Sequence, residues 1–339
     1  MNRQNNRQFE SISSHKTLVN VVLSCDQSMR LDRYLKIQYP HFTQGQIEKK
    51  IRQKDIKLNN QKTSAKTLLK NADIIEIYDP SINNRVKDVK TEFSQSVKSL
   101  ATKIIGEYKI FEDENILVIN KPSGLGSQGG EAMSISIAEA LEYLNYKTLK
   151  DHVNEGYKIV HRLDKETSGV FLIAKTRLAA TKITKAFSER KIEKEYIAIL
   201  DGIPEQKKGI IKNYLRKNIK DKKQYILDKN DDTGEYAETL YSVMAESDIY
   251  NICLVKFLPK TGRMHQLRVH AVSIGCPIYG DKKYNIKANN AKHLLLHAYK
   301  ISLDKTIIGK DYEFYAPIPA HFKKILQIFN QGIDSDVKI

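Results

Sequence analysis

The sequence predicts an α+β protein in which a small basic module precedes a larger body. Three observations support this. The apolar strands are short and follow one another without regularly alternating helices, amphipathic helical patterns lie among them, and 41% of the residues are hydrophobic, as expected for a chain with a buried core. Its 339 residues fit about two domains. The expected segments are an N-terminal extension (1–27), the basic module (28–80), a linker (81–108), the body (109–330) and a C-terminal tail (331–339).

The net charge of +16 is the most unusual global property of the chain. A surplus of this size favours an anionic partner, either nucleic acid or an acidic membrane surface. No stretch approaches the roughly 18 apolar residues of a bilayer span, and the first residues lack the apolar core of a signal peptide. Cys25, Cys253 and Cys276 are too widely spaced for a disulfide framework or a paired-cysteine zinc site. We therefore expect a cytoplasmic protein.

Half of the charge surplus lies in residues 30–70, which contain 11 Lys or Arg against 3 Asp or Glu. The stretch "MRLDRYLKIQYP" has helical apolar spacing, and Thr43 and Gln46 have the spacing of a capping box that opens a second helix. Two short strands follow. Lysine-rich helices are also typical of a solvated surface, but such a surface mixes Glu with Lys, and Glu48 is nearly alone here. The candidate RNA-binding side chains are Arg33, Lys49, Lys50, Arg52 and Lys54.

A polar segment with weak periodicity, residues 81–108, predicts the linker, with one or two helical turns at most. After it, "VINKPSGLGSQGG" contains a Gly-x-Gly-x-x-Gly spacing. A dinucleotide-binding loop needs its first glycine directly at the strand end, but Lys121, Pro122 and Ser123 intervene, and no βαβ unit follows. The remaining interpretations are a flexible turn and a loop whose backbone approaches a nucleotide closely. Further along, "NDDTGEY" indicates a hairpin between two strands.

The stretch "KIVHRLDKETSGVFLIAK" places a polar loop between two apolar strands, with Asp164 near the end of the first. Such loops hold reactive groups on a rigid scaffold. Thr167 and Ser168 could cap the loop or donate to Asp164. An ordinary turn uses the same residue types, so the spacing alone favours a turn over a reactive loop.

The stretch "KTGRMHQLRVH" brings together Arg263, His265, Arg268 and His270. The two histidines are five residues apart, whereas a helical two-histidine zinc site uses a separation of four, so a metal site is not favoured. An arginine that pairs with a buried carboxylate is the better interpretation, because such a pair keeps the carboxylate ionised.

Five segments in order carry a resemblance to a known family. These are "VINKPSGL", "HRLDKETSGV", "KEYIAIL", "TGRMHQLRVHAVSIGCPIYGDKKY" and "HLLLHAYKISL". Together they resemble the RluA-type family of RNA pseudouridine synthases, and the arrangement is most similar to its RluC-type branch, which modifies large-subunit ribosomal RNA. Residues 28–80 resemble the S-four-like RNA-binding module. One departure is Gln128, where the family commonly has His.

The resemblance implies a mixed, mainly antiparallel sheet with a central cleft, preceded by an S-four-like domain. It implies a pseudouridine synthase that flips uridines out of RNA and isomerises them, without cofactor or metal. We expect a monomer whose partner is large-subunit ribosomal RNA. The alternative is a catalytically silent binder of structured RNA on the same fold.

The resemblance also implies roles for individual residues. Asp164 would be the catalytic aspartate, Tyr196 the tyrosine that packs on the base, and Arg268 the arginine that pairs with Asp164 and lowers its pKa. The candidate substrate-binding residues are His161, Arg162, Thr167, Arg263, His265 and Leu296.

Overall fold

The structure is a computed structural model that describes residues 18–21, 30–39, 42–70, 72–78, 93–129, 135–150, 156–218, 221, 223–227, 233–285 and 291–329. The chain divides into two compact units, Met1–Glu92 and Phe93–Ile339. Among the described residues, no helix is long and apolar enough to cross a membrane. The predicted tail, 331–339, lies outside the described residues.

The described part of the first unit contains two helices and three strands. They are β1 (Leu18–Val21), α1 (Leu31–Gln38), α2 (Gln44–Gln53), β2 (Ile56–Leu58) and β3 (Ile74–Ile77). The strands form an antiparallel sheet in the order β1-β3-β2. The capping box of Thr43 and Gln46 is confirmed at the start of α2. Strand β1 lies within the segment predicted as an extension, because four residues are too few to show a periodic pattern.

Apolar residues at helical and strand spacing form the core of this unit. Leu31 and Leu35 on α1 and Ile47 on α2 pack against Ile75 and Ile77 of β3, all nearly inaccessible to solvent. Burying these stripes against the sheet is what stabilises such short helices, since isolated helices of this length are marginal in water. Arg33 on α1 and Lys49 and Arg52 on α2 are exposed.

The second unit contains eleven described strands and six described helices. They are α3 (Gln95–Ile105), β4 (Lys109–Glu112), β5 (Ile116–Lys121), α4 (Ile137–Lys150), β6 (Lys158–Ile159), β7 (Ser168–Ala174), α5 (Arg177–Ser188), β8 (Glu193–Asp201), β9 (Lys208–Lys217), β10 (Gln224–Ile226), β11 (Glu235–Ser247), β12 (Ile252–Pro259), α6 (Gln266–Ser273), β13 (Leu296–Leu303), α7 (Lys305–Ile308), β14 (Tyr312–Tyr315) and α8 (Ala320–Phe329).

The strands of the second unit form one sheet in the order β10-β9-β11-β12-β8-β13-β7-β5-β4, with β14 beside β13 and β6 beside β7. Among the described strands, only β13 and β7 pair in parallel, and the other pairings are antiparallel. The predicted mixed, mainly antiparallel sheet is therefore confirmed. The signal "NDDTGEY" does not join a hairpin, because β10 and β11 pair with opposite edges of β9.

Helices cover both faces of the central strands, so these strands are apolar at successive positions rather than alternating positions. In β7, Leu172 packs with α5, whereas Phe171 and Ile173 pack on the opposite face with α3 and α4. Every residue of β7 is buried. Burial on both faces explains the unbroken apolar run "GVFLIA". It also holds β7, the strand that follows the Asp164 loop, in place.

Helix α3 lies in the segment predicted as a linker, where only one or two helical turns were expected. It has 11 residues, starts at a Ser94 cap, and buries Ala101 and Ile104 in the core of the second unit. Val97, Leu100, Ala101 and Ile104 have helical spacing, but the polar composition of the whole segment 81–108 concealed this short stripe. The preceding residues, 79–92, lie outside the described residues.

Gly169 allows the parallel contact between β7 and β13. A β-carbon at this position would lie 2.1 Å from the Ala298 carbonyl oxygen, and the backbone has a φ of +115°. Only glycine fits both conditions. The close approach brings β13, which carries Leu296, beside the strand that follows Asp164.

Candidate active site

The loop carrying Asp164 is braced by the glycine-rich loop that follows β5. The Ser127 hydroxyl donates to the Leu163 carbonyl at 2.9 Å and accepts the Leu163 amide at 3.1 Å. The Gly124 amide donates to the Lys165 carbonyl at 2.9 Å. The Ser123 hydroxyl donates to the Glu166 carbonyl at 2.7 Å. The Gly-x-Gly-x-x-Gly spacing therefore belongs to a support for the Asp164 loop.

Lys121 ties the same two loops together from inside the protein. Its side chain is fully buried, and its Nζ donates to the carbonyls of Leu125 at 2.7 Å, Pro122 at 3.1 Å and Lys165 at 3.1 Å. Burial lowers the pKa of Lys121 to about 7, although the charges of Asp164 and Glu166 oppose the shift. The sequence did not predict a buried role for Lys121, because a lysine at a strand end is normally a surface residue.

Asp164 lies where two cavities meet. The first, about 370 Å³, is lined by Tyr196 and Leu296 as well as by Asp164. The second, about 750 Å³, is lined by the glycine-rich loop, including Gln128, and by Lys223. Arg162, Leu163, His265 and Arg268 also line both cavities. A group bound in the first cavity can thus reach the Asp164 carboxylate while a connected chain continues into the second.

The pKa of Asp164 is raised, contrary to the predicted lowering. Burial raises the pKa of its carboxyl, and the opposing charges of Arg268, Arg162 and Lys121 do not overcome this effect. Arg268 acts in the predicted direction, but the cost of desolvating the carboxylate is larger. The sequence could not show how deeply this loop sits.

Arg268 makes its direct ion pair with Asp281 rather than with Asp164. The two guanidinium contacts to the Asp281 carboxylate are 2.7 and 2.6 Å, and both side chains are buried. Among the described residues, Asp164 has no ion pair with Arg268 within 4.0 Å. Although burial opposes it, the hydrogen bonding to Asp281 raises the pKa of Arg268, so its charge is secure. The bidentate pair fixes the orientation of the guanidinium beside Asp164.

Tyr284 and His265 form a second support around Arg268. The Arg268 guanidinium lies over the Tyr284 ring at 5.1 Å. The Tyr284 hydroxyl accepts the Gln224 amide at 2.7 Å and lies 2.9 Å from His265 Nδ1. Burial, with the charge of Arg268, lowers the pKa of His265 to about 3, so this imidazole is neutral. His265 has a left-handed backbone, with a φ of 53°.

Two predicted substrate-binding residues already have partners within the protein. Arg263 donates to the Tyr236 carbonyl at 3.1 Å and to the Glu235 carboxylate at 2.7 Å. The His161 ring lies between Phe171 and Phe187, with centroid distances of 4.6 and 4.8 Å. Both residues nevertheless line the first cavity.

The protonation of His161 follows from its surroundings. Its Nε2 accepts the Leu172 amide at 2.8 Å. Burial lowers the pKa of His161 to about 3.

Arg162 is exposed, whereas Thr167 is buried and its amide donates to the Asp164 carbonyl at 3.1 Å. Ser168 contacts His297 Nδ1 at 2.8 Å rather than Asp164.

Tyr196 and Leu296 provide the apolar wall of the first cavity. Tyr196 lies on β8, and Leu296 begins the neighbouring β13. Burial and the charge of Asp164 raise the pKa of the Tyr196 phenol, so it keeps its proton at neutral pH. A flat base can stack on such a neutral ring. Asp164, Tyr196 and Leu296 therefore line one cavity.

Comparison with known proteins identifies the family. The RNA pseudouridylate synthase family model matches residues 115–273. A protein of Rickettsia bellii named ribosomal large subunit pseudouridine synthase C is 43% identical over 298 residues, which cover 87% of this chain and 96% of the relative. The chain belongs to the RNA pseudouridylate synthase family.

A more distant relative and a solved structure agree with this membership. The protein of the same name from Buchnera aphidicola subsp. Acyrthosiphon pisum is 30% identical over 325 residues, covering 92% of this chain and 98% of the relative. The structure of human RNA pseudouridylate synthase domain containing 4 is 26% identical, with a TM-score of 0.58, and covers 69% of this chain and 97% of that chain. The chain is thus an RNA pseudouridine synthase. Asp164, Tyr196 and Arg268 lie inside the matched region, whereas Leu296 lies beyond it.

The candidate RNA-binding residues of the first unit lie on its helices and the turn that follows them. Arg33, Lys49, Arg52 and Lys54 are exposed, and Lys50 is half-buried with its Nζ 5.2 Å from the centre of the Phe42 ring. This arrangement leaves several cations open to solvent on an otherwise well-packed unit. Backbone phosphates can be bound by such a face without sequence readout.

The histidines of "KTGRMHQLRVH" have no arrangement suited to metal. His270 Nδ1 lies 2.9 Å from the Thr239 hydroxyl and its Nε2 lies 3.0 Å from the Asn213 side-chain oxygen. Within the ranges that the structure describes, no group of three or more His, Cys, Asp or Glu side chains is positioned to hold a metal ion.

Proposed function

We propose that this enzyme isomerises specific uridines of large-subunit ribosomal RNA to pseudouridine, with Asp164 as the catalytic carboxylate. The observation that carries the proposal is the position of Asp164 between a cavity walled by Tyr196 and Leu296 and a second, lysine-containing cavity. The choice of RNA is supported by curated relatives that bear the large-subunit name over nearly their whole length. The net charge of +16 suits a polyanionic substrate.

The reaction requires the uridine to leave the base stack, because its glycosidic bond is otherwise inaccessible. The base stacks on Tyr196 and against Leu296, and the Asp164 carboxylate faces it across the cavity. The bond from the sugar to nitrogen 1 breaks, the uracil turns, and a bond forms from the sugar to carbon 5. Carbon 5 then loses its hydrogen as a proton, and nitrogen 1 takes up a proton. Asp164 serves as a nucleophile toward base or sugar, or assists a glycal intermediate.

Arg268 and Tyr196 support this chemistry in roles that differ from that of Asp164. The positive charge of Arg268, held by Asp281, favours the ionised form of Asp164 against the effect of burial. The Tyr196 phenol is neutral and can stack on the base or move a proton. Arg162, exposed beside Asp164 and lining both cavities, suits contact with the opened RNA strand.

We further propose that the first unit is an S-four-like RNA-binding domain that holds the substrate through Arg33, Lys49, Lys50, Arg52 and Lys54. We assign the active form to a monomer in a reducing cytoplasm. Cys253 and Cys276, the two cysteines within the described residues, are free and buried. Light scattering of the purified protein tests the monomer directly.

Tritium release tests the proposed reaction. Purified protein is incubated with large-subunit ribosomal RNA transcript labelled at carbon 5 of uracil, beside the Asp164→Asn variant. Wild type should release tritium, and the variant should release none while still binding RNA. Normal release by Asp164→Asn would show that another group performs the catalysis. Release only from small-subunit or transfer RNA would overturn the choice of substrate.

A further inference from the structure

The first cavity carries far more positive charge than the catalytic carboxylate requires. Six Lys or Arg side chains line it, against one carboxylate, Asp164. Two of the six are already neutralised within the protein, since Arg263 pairs with Glu235 and Arg268 pairs with Asp281. The surplus therefore lies in the remaining cations, which include Arg190, Lys194 and Lys260. These three are called the rim cluster.

Three separate chain segments bring the rim cluster together. Arg190 lies two residues beyond α5, with a left-handed backbone and a φ of 59°. Lys260 directly follows β12, and its amide donates to the Glu238 carbonyl at 2.9 Å. Lys194 lies on β8 two residues before Tyr196, so both side chains are on the same face of the strand. The cluster therefore adjoins the tyrosine on which the base is expected to stack.

Within the described residues, no hydrogen bond or ion pair involves the side chains of Arg190, Lys194 or Lys260. Arg190 and Lys260 are exposed at the edge of the cavity, and Lys194 is half-buried in its wall. Burial, together with the charges of Lys260 and Arg190, lowers the pKa of Lys194. Like charges brought together beside a cavity destabilise the free protein. An anion bound among them would remove that cost.

We propose that the rim cluster binds a backbone phosphate of the substrate RNA, on the nucleotide whose base enters the first cavity. The inference deepens the proposed function and rests on it, because the base would occupy the same cavity beside Tyr196. A phosphodiester suits the cluster: two lysines act as mobile point charges, and an arginine can form two parallel hydrogen bonds to phosphate oxygens. The cavity of about 370 Å³ then takes a base together with its phosphate rather than a base alone.

Direct binding of small probes tests the rim cluster without relying on turnover. Uridine, uridine 5′-monophosphate and uridine 3′-monophosphate are titrated into the full-length protein by calorimetry. For wild type, one monophosphate should bind at least about tenfold more tightly than uridine. The double variant Lys194→Gln/Lys260→Gln should lose most of that advantage, because Arg190 is then the one member of the rim cluster that remains. Lys182→Gln, which removes an exposed lysine on α5 outside the cavity, is the matched control and should keep the advantage.

Equal binding of uridine and both monophosphates by wild type would overturn the inference, and so would an undiminished advantage in the double variant. Thermal unfolding excludes a folding defect as the cause. Relief of charge repulsion should raise the Tm of the double variant by about 2 °C. A phosphate preference without tritium release from any RNA would contradict the proposed reaction but support phosphate binding by the rim cluster. Tritium release without a phosphate preference would support the proposed reaction and contradict phosphate binding by the rim cluster.

Discussion

Cations occupy two different environments in this protein. On the first unit, Lys49, Arg52 and Lys54 are exposed to solvent. In the second unit, Lys121 and Arg268 are buried and held by three carbonyls and by a carboxylate, respectively. Exposed charges attract a polyanion with little geometric demand and are screened by salt. Buried charges are costly unless paired, so they fix geometry. We therefore expect the same residue types to provide affinity for RNA in the first unit and orientation of the active site in the second.

Among variants that keep Asp164, substitution of Asp281 should give the largest effect on turnover. Asp281→Asn leaves the Arg268 guanidinium buried beside a neutral partner, which should destabilise the fold by about 3 kcal/mol. A misdirected guanidinium should also lower kcat by about 100-fold. Urea unfolding and tritium release measure the two effects. Asp248→Asn, at an exposed turn, is the control.

A double variant separates the two effects of Asp281. Replacing both partners, Asp281→Asn with Arg268→Met, should recover part of the missing stability because no uncompensated charge stays buried. Turnover should not recover. Recovery of turnover together with stability would show that Arg268 has only a structural role.

Lys121→Met should mainly affect stability. Removing the side-chain nitrogen leaves buried carbonyls without this donor, which should cost about 3 kcal/mol at pH 8. The pH dependence has a definite sign. The pKa of Lys121 is about 7 in the folded protein and about 10.4 in an unfolded chain. The unfolded wild type binds more protons between these values, so its stability relative to the variant should rise from pH 7 to pH 9.5. A constant difference in urea unfolding would contradict the buried lysine.

Lys121 and Asp281 also show which features of the site the sequence did not predict, namely the partners of buried side chains. The ordered sequence motifs were enough to assign Asp164, Tyr196 and Leu296 to one candidate site, because each of these residues lies within one of the motifs. The partners of Lys121 include a carbonyl 44 positions away, at Lys165. Local spacing cannot show which backbone oxygens a side chain reaches, nor whether burial outweighs neighbouring charge.

The sheet illustrates the same limit at the level of strands. The two apolar strands predicted in "KIVHRLDKETSGVFLIAK" are present as β6 and β7. The turn signal before β11 suggested a hairpin with the preceding strand, but β9 lies between β10 and β11. Turn chemistry is local, whereas strand order depends on which faces helices bury. The fold class was therefore predictable, and the pairing was not.

Arg162→Gln should shift the acid limb of the pH profile. In the proposed mechanism the ionised form of Asp164 is the active one, so kcat/KM should fall as pH decreases through the pKa of its carboxyl. Arg162 lowers that pKa against the larger effect of burial. Its removal should move the acid limb to higher pH, and the shift relative to wild type should diminish at high salt. Lys182→Gln is the control. An unchanged acid limb would mean that Arg162 is too well solvated to act on Asp164.

Neutralising the exposed face of the first unit should have the smallest effect on chemistry. In the variant with Lys49, Lys50, Arg52 and Lys54 all replaced by Gln, kcat at saturating RNA should equal that of wild type, while the Kd for RNA rises. The slope of log affinity against log salt should flatten by up to about 0.9 for each phosphate of a duplex that the variant no longer neutralises, or by about 0.7 on single strands. A control in which Lys182, Lys185, Lys305 and Lys310 become Gln removes the same net charge from the second unit and should change the slope less. If both variants flatten it equally, general charge rather than this face attracts the RNA. If only the first does, and kcat is unchanged, exposed and buried cations serve separate steps of the same reaction.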